Sequence, residues 1–314
     1  MPIIQGIGLN LSSLSHGDLD GAARLAQRWA EIGCSHIEIS AFVLDVVHSG
    51  RMNPHRVKRV KEIITDSGLK PVLHATHVIN FMDRPREAMH RAVAAASIDV
   101  CEALGCPSMV IHSGHVPLAD WVCDKDGLLA YERDGFQWLG ELAAEAKVQI
   151  AVENLIASPE GAGEMYYGAD PRALAAQLEA TGHPMIGGCL DFGHAHTSAN
   201  TLGFDYIEAL EIFSPYVWHL HQHDNCGIPH GIPGITDPGM MASYGVGDMH
   251  APMYWGTIPW DDLLPRMKFR EGTFGMVELK GRYHPEAQTV ADTAWIFARY
   301  LNGEGQLSNP WHTA

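Results

Sequence analysis

The sequence predicts an α/β fold of the (β/α)8 TIM barrel class, and three observations predict it. Eight short β-rich runs recur along the chain, and longer segments with helical periodicity lie between them. Strands that alternate with helices are typical of a parallel sheet built from βαβ units. The 314 residues, 46% of them hydrophobic, suit one barrel domain of about 250 residues or more. We therefore expect a single domain over residues 1–314.

The predicted strands are short runs of apolar and β-branched residues. They cover residues 6–12, 36–40, 71–78, 108–114, 149–155, 186–192, 216–223 and 272–279. Apolar residues three and four positions apart, with glycine near the end, predict helices at 20–33, 86–105 and 171–182. On pattern alone an open doubly wound sheet is the alternative. No G-x-G-x-x-G motif and no P-loop follows a predicted strand, so a nucleotide-binding sheet has no support.

One long connection, residues 226–257, follows the seventh predicted strand and is rich in Gly, Pro and Met. A loop of this length inside a barrel is more often a lid or a binding loop than a simple connection. We therefore expect a lid or a binding loop here.

Charge and composition restrict the partners. The formal charge is −16, with 37 acidic residues against 21 Lys and Arg, and such a surface repels a phosphate backbone. No stretch approaches about 18 uninterrupted apolar residues, and the first residues lack a signal-peptide pattern. Six cysteines occur without CxxC spacing, as in reduced proteins. We expect a cytoplasmic protein that binds neither nucleic acid nor membrane.

Titratable residues gather at the predicted ends of six consecutive strands, where barrel enzymes place their chemistry. Several buried carboxylates and imidazoles would cost several kcal/mol each without a compensating positive charge. Divalent cations supply that charge, and this donor set suits zinc, manganese or iron. The residues are His74, His77, His112, His115, Glu153, Asp191, His194, His196, His219, His221, His223 and Glu278.

The stretch VWHLHQHDN, residues 217–225, places three histidines at alternate positions. Alternate side chains of a strand point to the same face, so these three should point into the barrel. Depth separates them: we expect His221 to bind metal, His219 to lie one layer lower and support a ligand, and His223 to begin the loop.

With these residues in place, the chain resembles the xylose isomerase-like barrel superfamily, in particular the sugar phosphate isomerase/epimerase group and the related endonuclease IV family. The resemblance covers roughly residues 71–280. The motifs that carry it are LHATHVIN, VIHSGH, AVENL, CLDFGHAH, HLHQHDN, GDMHAPMYWGTIPW and VELK.

The resemblance implies two sets of metal ligands. Epimerase-like members hold one divalent ion with residues that correspond to Glu153, Asp191, His221 and Glu278, and the two glutamates form the catalytic pair that passes a substrate proton. Endonuclease IV-like members hold three zinc ions. There His74 and His112 would join Glu153 at a first ion, the four residues just named would hold a second, and His194, Asp248 and His250 would hold a third.

Two functions follow from the resemblance. The first is a metal-dependent isomerase or epimerase of carbohydrate metabolism, acting on a sugar, sugar phosphate or polyol by proton transfer between Glu153 and Glu278. The alternative is a multinuclear zinc hydrolase or lyase, phosphoesterase-like, on a small non-polymeric substrate. The acidic surface argues against duplex DNA, and the loop CGIPHGIPGITDPG lacks the arginine that ketose 3-epimerases bring to their substrate.

A further set of residues is expected to contact the substrate or to hydrogen-bond to a metal ligand: Glu38, His77, His115, His196, His219, Trp255 and Lys280. For Lys280 we expect a carboxylate partner, because it lies two residues beyond Glu278. The implied cofactor is one to three divalent ions per chain, and the implied partner is a small polyhydroxy compound. A homo-oligomer is also compatible with the resemblance.

Overall fold

The computed structural model describes residues 1–11, 13–159 and 161–312, and it confirms the (β/α)8 barrel. Eight parallel strands close on themselves, each hydrogen-bonded to the next along the chain and the last to the first. They are β1 (Ile4–Asn10), β2 (His36–Ser40), β3 (Lys70–His74), β4 (Ser108–His112), β5 (Gln149–Glu153), β6 (Ile186–Asp191), β7 (Val217–Gln222) and β8 (Thr273–Val277).

Every predicted strand except β2 differs in its bounds, and β1 and β3 are displaced most. β1 begins two residues earlier than predicted, because Ile4 already pairs with Thr273 of β8, and Ser12 lies outside the described residues. β3 ends at His74, four residues earlier than predicted. The chain turns there, since Ile79 donates its backbone N–H to the Thr76 carbonyl.

Ten α-helices are present in the described residues. They are α1 (Leu19–Glu31), α2 (Pro54–Ser67), α3 (Glu87–Leu104), α4 (Leu118–Ala146), α5 (Pro171–Thr181), α6 (Phe192–Leu202), α7 (Tyr206–Phe213), α8 (Pro238–Tyr244), α9 (Trp260–Leu263) and α10 (Ala287–Leu301). None of them is both long and apolar enough to cross a membrane.

Local sequence explains where the helices begin and end. The Asn53 side chain accepts the Arg56 backbone N–H at the start of α2, and Gly68 takes the left-handed conformation at its end. Asp170 and Gly182 do the same for α5. Such residues satisfy backbone groups that the helix leaves unpaired.

Apolar residues form the floor under the polar mouth of the barrel. Val72, Phe274 and Met276 make a buried cluster, and the Phe274 ring lies 6.0 Å from the ring of His219. Most of the remaining core fills the space between strands and helices. Phe274 is the register partner of His219, and Met276 is the partner of His221, so apolar side chains pack directly beside the titratable ones.

The connection 226–257 is more ordered than its composition indicates. It contains α8 and two isolated bridges, one between Ile228 and Val246 and one between Asp224 and Ala251. At its base the buried Asp224 carboxylate accepts the backbone N–H of Tyr254 at 2.9 Å and of Ile258 at 3.2 Å.

Candidate metal centre

The register of the barrel brings the predicted ligands together. His74, His112, Glu153 and Asp191 are the last residues of β3, β4, β5 and β6. His112 is the register partner of Glu153, and Asp191 is the partner of His221. The carboxyl ends of parallel strands share one rim of a barrel, so these side chains converge there.

The central group contains Glu153, Asp191, His221 and Glu278, whose ligand atoms all lie within 4.8 Å of one another. His221 Nδ1 lies 3.1 Å from Glu153 Oε1, 3.7 Å from Glu278 Oε2 and 3.9 Å from Asp191 Oδ2. Three carboxylates thus surround one imidazole nitrogen. Without a cation, this would be a costly concentration of buried charge.

A second group shares Glu153 with the central one. His74 Nε2 lies 3.3 Å and His112 Nε2 3.4 Å from Glu153 Oε2. His74 Nδ1 lies 2.8 Å from the Ala75 carbonyl, so Nδ1 carries the proton and donates it. This fixes the ring with its other nitrogen toward Glu153, which is the usual arrangement of a histidine ligand.

The third group contains the predicted His194, Asp248 and His250, and His223 as well. His250 Nε2 lies 2.6 Å and His194 Nε2 3.9 Å from Asp248 Oδ2. His223 was expected only to begin the loop. The same alternation that marks His219 and His221 could have identified it, since it continues the inward face of β7.

Glu38 supports the central group from below. Its Oε1 accepts hydrogen bonds from His219 Nε2 at 3.1 Å and His221 Nε2 at 3.2 Å. Because Nε2 of His221 is directed at Glu38, Nδ1 is the nitrogen that faces the three carboxylates. His219 also contacts Ser108 Oγ through Nδ1 at 3.3 Å. Both nitrogens of His219 and both nitrogens of His221 therefore have hydrogen-bond partners.

Burial and neighbouring charges set the protonation of these groups. Burial alone would raise the pKa of Glu153. The positive charge of His221, and the hydrogen bonds that Glu153 accepts from His221 and His74, hold that pKa well below its usual value. Burial opposes ionisation of Asp248 too, and His250 and His194 lower its pKa well below normal. Burial lowers the pKa of His112 to about 3. The ionised carboxylates and neutral His112 are in forms that bind cations. Burial opposes protonation of His74, but Glu153 raises the pKa of His74 to about 9, so a bound cation would displace that proton.

The other predicted contact residues take different places. His77 is exposed and lies against the Phe42 ring, 5.0 Å between centroids, while His115 stacks on Tyr166 at 4.8 Å. His196 is buried, and its Nδ1 lies 2.9 Å from Asn225 Oδ1. It therefore holds the start of the loop, outside all the ligand groups.

One predicted residue, Lys280, has a partner that differs from our expectation. The ammonium of Lys280 donates to the backbone carbonyl of Asp248 rather than to a carboxylate, because that carbonyl lies on the loop directly above it. Trp255 is half-exposed and packs against Tyr283 and Trp311, at 5.8 and 5.1 Å between ring centroids.

A cavity of about 290 Å³ borders the second group and Glu278 of the central group. This volume lies just below the usual range for ligand sites, roughly 300–1,000 Å³. Three residues of the ligand groups line the cavity, namely His74, His112 and Glu278. Other polar residues that line it are Asn10, Glu38 and Ser40.

The residues fit divalent metal ions. All three groups are made of imidazoles and carboxylates, the donors that zinc and related ions use. Nine buried side-chain atoms of the described residues have no hydrogen-bond partner, and they include Glu38 Oε2, His223 Nδ1 and Asp248 Oδ1. Two of these atoms belong to the third group, where a bound cation would satisfy them.

Comparisons with known proteins agree with the fold. Solved structures that resemble the chain include a D-tagatose 3-epimerase-like protein (18% identity, 96% of this chain and 99% of that chain covered, TM-score 0.71). A magnesium complex of a xylose isomerase-like TIM barrel protein from Mycobacterium smegmatis gives 14% identity, 95% and 97% coverage and a TM-score of 0.64. A 3-keto-D-glucoside 4-epimerase from E. coli gives 14%, 94% and 99%, and 0.61.

No protein with a curated function gives a significant match to the sequence. A family profile, by contrast, matches residues 26–299, and its description is "Xylose isomerase-like TIM barrel". The match covers most of the chain and includes every residue of the three ligand groups. The chain therefore belongs to the xylose isomerase-like TIM barrel family.

Proposed function

We propose that this protein is a metal-dependent isomerase or epimerase that moves a proton on a sugar, sugar phosphate or polyol between Glu153 and Glu278. The observation that carries the proposal is the convergence of both glutamates on one atom, His221 Nδ1, at 3.1 and 3.7 Å. Two carboxylates held at one site are the groups that a proton transfer at carbon requires, one to remove the proton and one to return it.

The surroundings support a small substrate. The cavity of about 290 Å³ beside Glu278, His74 and His112 suits a ligand of monosaccharide size. Several structural neighbours are described as sugar 3-epimerases or a 4-epimerase. At 13–18% identity they suggest a class of substrate, and no particular sugar follows from them.

The chain's own residues would divide the work as follows. Glu278 lines the cavity, and its Oε1 accepts a hydrogen bond from Asn10 Nδ2 at 3.3 Å, which would orient its other oxygen. Glu153 is more deeply buried and would act from below. Glu38 would hold His221 in place through its Nε2 proton.

Divalent metal ions are the proposed cofactor: zinc, manganese or iron, one to three per chain. Glu153, Asp191, His221 and Glu278 would hold the ion that takes part in the reaction. When bound, this ion would polarise the substrate's carbonyl and neighbouring hydroxyl. This would lower the free-energy cost of removing the proton from the carbon that carries the hydroxyl.

Proton transfer can be tested by NMR in D₂O. Metal-loaded protein is incubated with a panel of ketohexoses, their phosphates and polyols, and deuterium at carbon is measured. We expect deuterium to enter one substrate next to its carbonyl, and the Glu278→Gln variant to lose this exchange. The matched control is Glu132→Gln, a buried glutamate outside the ligand groups. Epimerised product that carries no deuterium in wild type, or undiminished exchange in Glu278→Gln, would contradict the proposal.

A multinuclear zinc hydrolase or lyase is the second candidate, and the contacts of Glu153 favour it. Both oxygens of this carboxylate face imidazoles: Oε1 lies 3.4 Å from His194 as well as near His221, and Oε2 faces His74 and His112. A carboxylate shared in this way is a bridging ligand more readily than a free base. Hydrolysis of bis(p-nitrophenyl) phosphate without any deuterium exchange would favour this candidate.

The partner is a small polyhydroxy compound, the acidic surface disfavours nucleic acid, and a homo-oligomer stays a prediction. All six cysteines are unpaired, which supports a reducing, cytoplasmic setting.

A further inference from the structure

We propose that the substrate carries an uncharged aromatic substituent on its sugar or polyol, and that a second cavity beside the ligand groups binds this substituent. The substrate class is then an aryl-substituted sugar or polyol. This assignment rests on the proposed function in one respect, because it takes the sugar to lie in the cavity beside Glu278.

The second cavity adjoins the first. Its volume is about 790 Å³, and His77 and His112 line both cavities. This volume lies within the range of ligand sites, roughly 300–1,000 Å³. An isomerase or epimerase converts a single molecule into its isomer, so no second reactant is needed to fill the larger space. One molecule that extends from one cavity into the other accounts for both.

Apolar side chains form much of the wall of the second cavity. Leu155 and Ala157 follow β5 and are buried, while Val78 and Met89 are 49% and 50% exposed. Phe42, which lines the first cavity, is 45% exposed. Half-exposed apolar side chains around two adjoining cavities leave apolar surface in water, and an apolar group of a ligand would cover it.

Two stacked rings form another part of this wall. His115 and Tyr166 are register partners in a short antiparallel pair, His115–Pro117 with Glu164–Tyr166. Their ring centroids lie 4.8 Å apart, with an angle of 13° between the planes, and both residues line the second cavity. Aromatic rings pack favourably against one another in offset-stacked and edge-to-face arrangements. The stacked pair therefore suits a flat aromatic substituent.

The charges around the second cavity favour an uncharged group. Among the described residues that line it, Arg86 and Asp83 carry fixed charges, and Arg86 Nε donates to Asp83 Oδ2 at 2.5 Å. His90 Nε2 lies 3.0 Å from the same oxygen. Burial lowers the pKa of His115, so this ring is neutral at pH 7. A phosphate or carboxylate would have to compete with Asp83 for Arg86, and an uncharged substituent avoids that cost.

The binding test uses 7-methoxy-4-methylcoumarin, a neutral fluorescent aromatic compound, and needs no turnover. Its fluorescence is titrated with metal-loaded protein. We expect saturable binding in the wild type, and binding on the order of tenfold weaker in Tyr166→Ala and in the double variant Val78→Ser/Met89→Ser. The matched controls, Tyr244→Ala and Met240→Ser, replace exposed residues outside both cavities and should bind as the wild type does.

Two further kinds of ligand test the charge and the connection between the cavities. 7-Methoxycoumarin-4-acetate adds a carboxylate to the same ring system, and we expect it to bind more weakly than the neutral compound. The 4-methylumbelliferyl glycosides join this ring system to a panel of sugars. At least one of them should bind on the order of tenfold more tightly than the free aromatic compound, because it fills both cavities.

Several outcomes would overturn the proposal. They are the absence of saturable coumarin binding, equal binding in folded Val78→Ser/Met89→Ser and wild type, tighter binding of the carboxylate compound, and a panel in which no glycoside binds more tightly than the free aromatic compound. Both substituted residues of the double variant are half-exposed, so this variant should fold even if Tyr166→Ala does not. If the coumarins bind as expected while no substrate exchanges deuterium, the proposed proton transfer fails and the aromatic site stands.

Discussion

Glu38→Gln is the most informative single substitution for the central group, because Glu38 lies beneath the ligands without being one. It is fully buried, and its Oε1 accepts from both His219 and His221, at 3.1 and 3.2 Å. Glutamine keeps the shape and one acceptor but removes the charge. The Nε2 proton of His221 would then face a neutral amide, and the ring would be oriented less firmly.

The magnitude follows from these two contacts. A hydrogen bond to a charged partner contributes about 1.5–3 kcal/mol, and about 1.4 kcal/mol corresponds to a tenfold change in affinity. If the contact to His221 carries this contribution into metal binding, Glu38→Gln weakens binding by about 10- to 100-fold. Losses of the same size are typical where the residue that orients a metal ligand is changed.

The assay is titration calorimetry of Mn²⁺ or Zn²⁺ into metal-free protein. Glu132→Gln is the matched control: Glu132 is also fully buried and accepts several hydrogen bonds, from Gly114, Tyr167 and Gln177, but it touches no ligand. We expect weaker binding in Glu38→Gln and unchanged binding in the control. Equal affinity in folded Glu38→Gln and wild type would refute this reasoning about His221.

Three further predictions follow from the structure. Glu278→Gln should abolish deuterium exchange into substrate while the third group keeps its metal ion. NMR measures the exchange and elemental analysis measures the metal. If the variant loses both the exchange and this ion, the two groups do not have separate roles. Burial raises the pKa of Glu132 from 4.5 to about 7, so the folded state binds more protons between these values. Wild-type stability should therefore fall, relative to Glu132→Gln, by on the order of 3 kcal/mol from pH 4.5 to 7, and chemical denaturation showing no such trend would contradict this. Asp224→Ala should cost at least about 2 kcal/mol, because it orphans buried donors including Trp260 Nε1; a smaller loss in the same denaturation assay would contradict it.

The sequence predicts the barrel and most of the ligand groups for a common reason. Strand alternation determines which side chains point inward, and the parallel register places the ends of neighbouring strands side by side. His112 beside Glu153 and Asp191 beside His221 follow directly from this. Asp248 and His250 lie on an irregular segment and were reached only through the resemblance.

Other features depend on contacts that no local pattern encodes. The alternation of β7 predicts that His223 points inward, but its contact with the distant Asp191 does not follow from that pattern. The partners of Glu132 come from three separate elements, including Gly114 two residues after His112. Lys280 finds a loop carbonyl because the segment 226–257 folds back above β8. Long-range packing decides each of these cases.

Crystals of the metal-loaded protein, measured at the zinc and manganese absorption edges, would test the central claim most directly. We predict an anomalous peak among Glu153, Asp191, His221 and Glu278 and a separate zinc peak at the third group. A crystal saturated with metal in which the central group shows no peak, or in which the ions bind outside the barrel mouth, would contradict it.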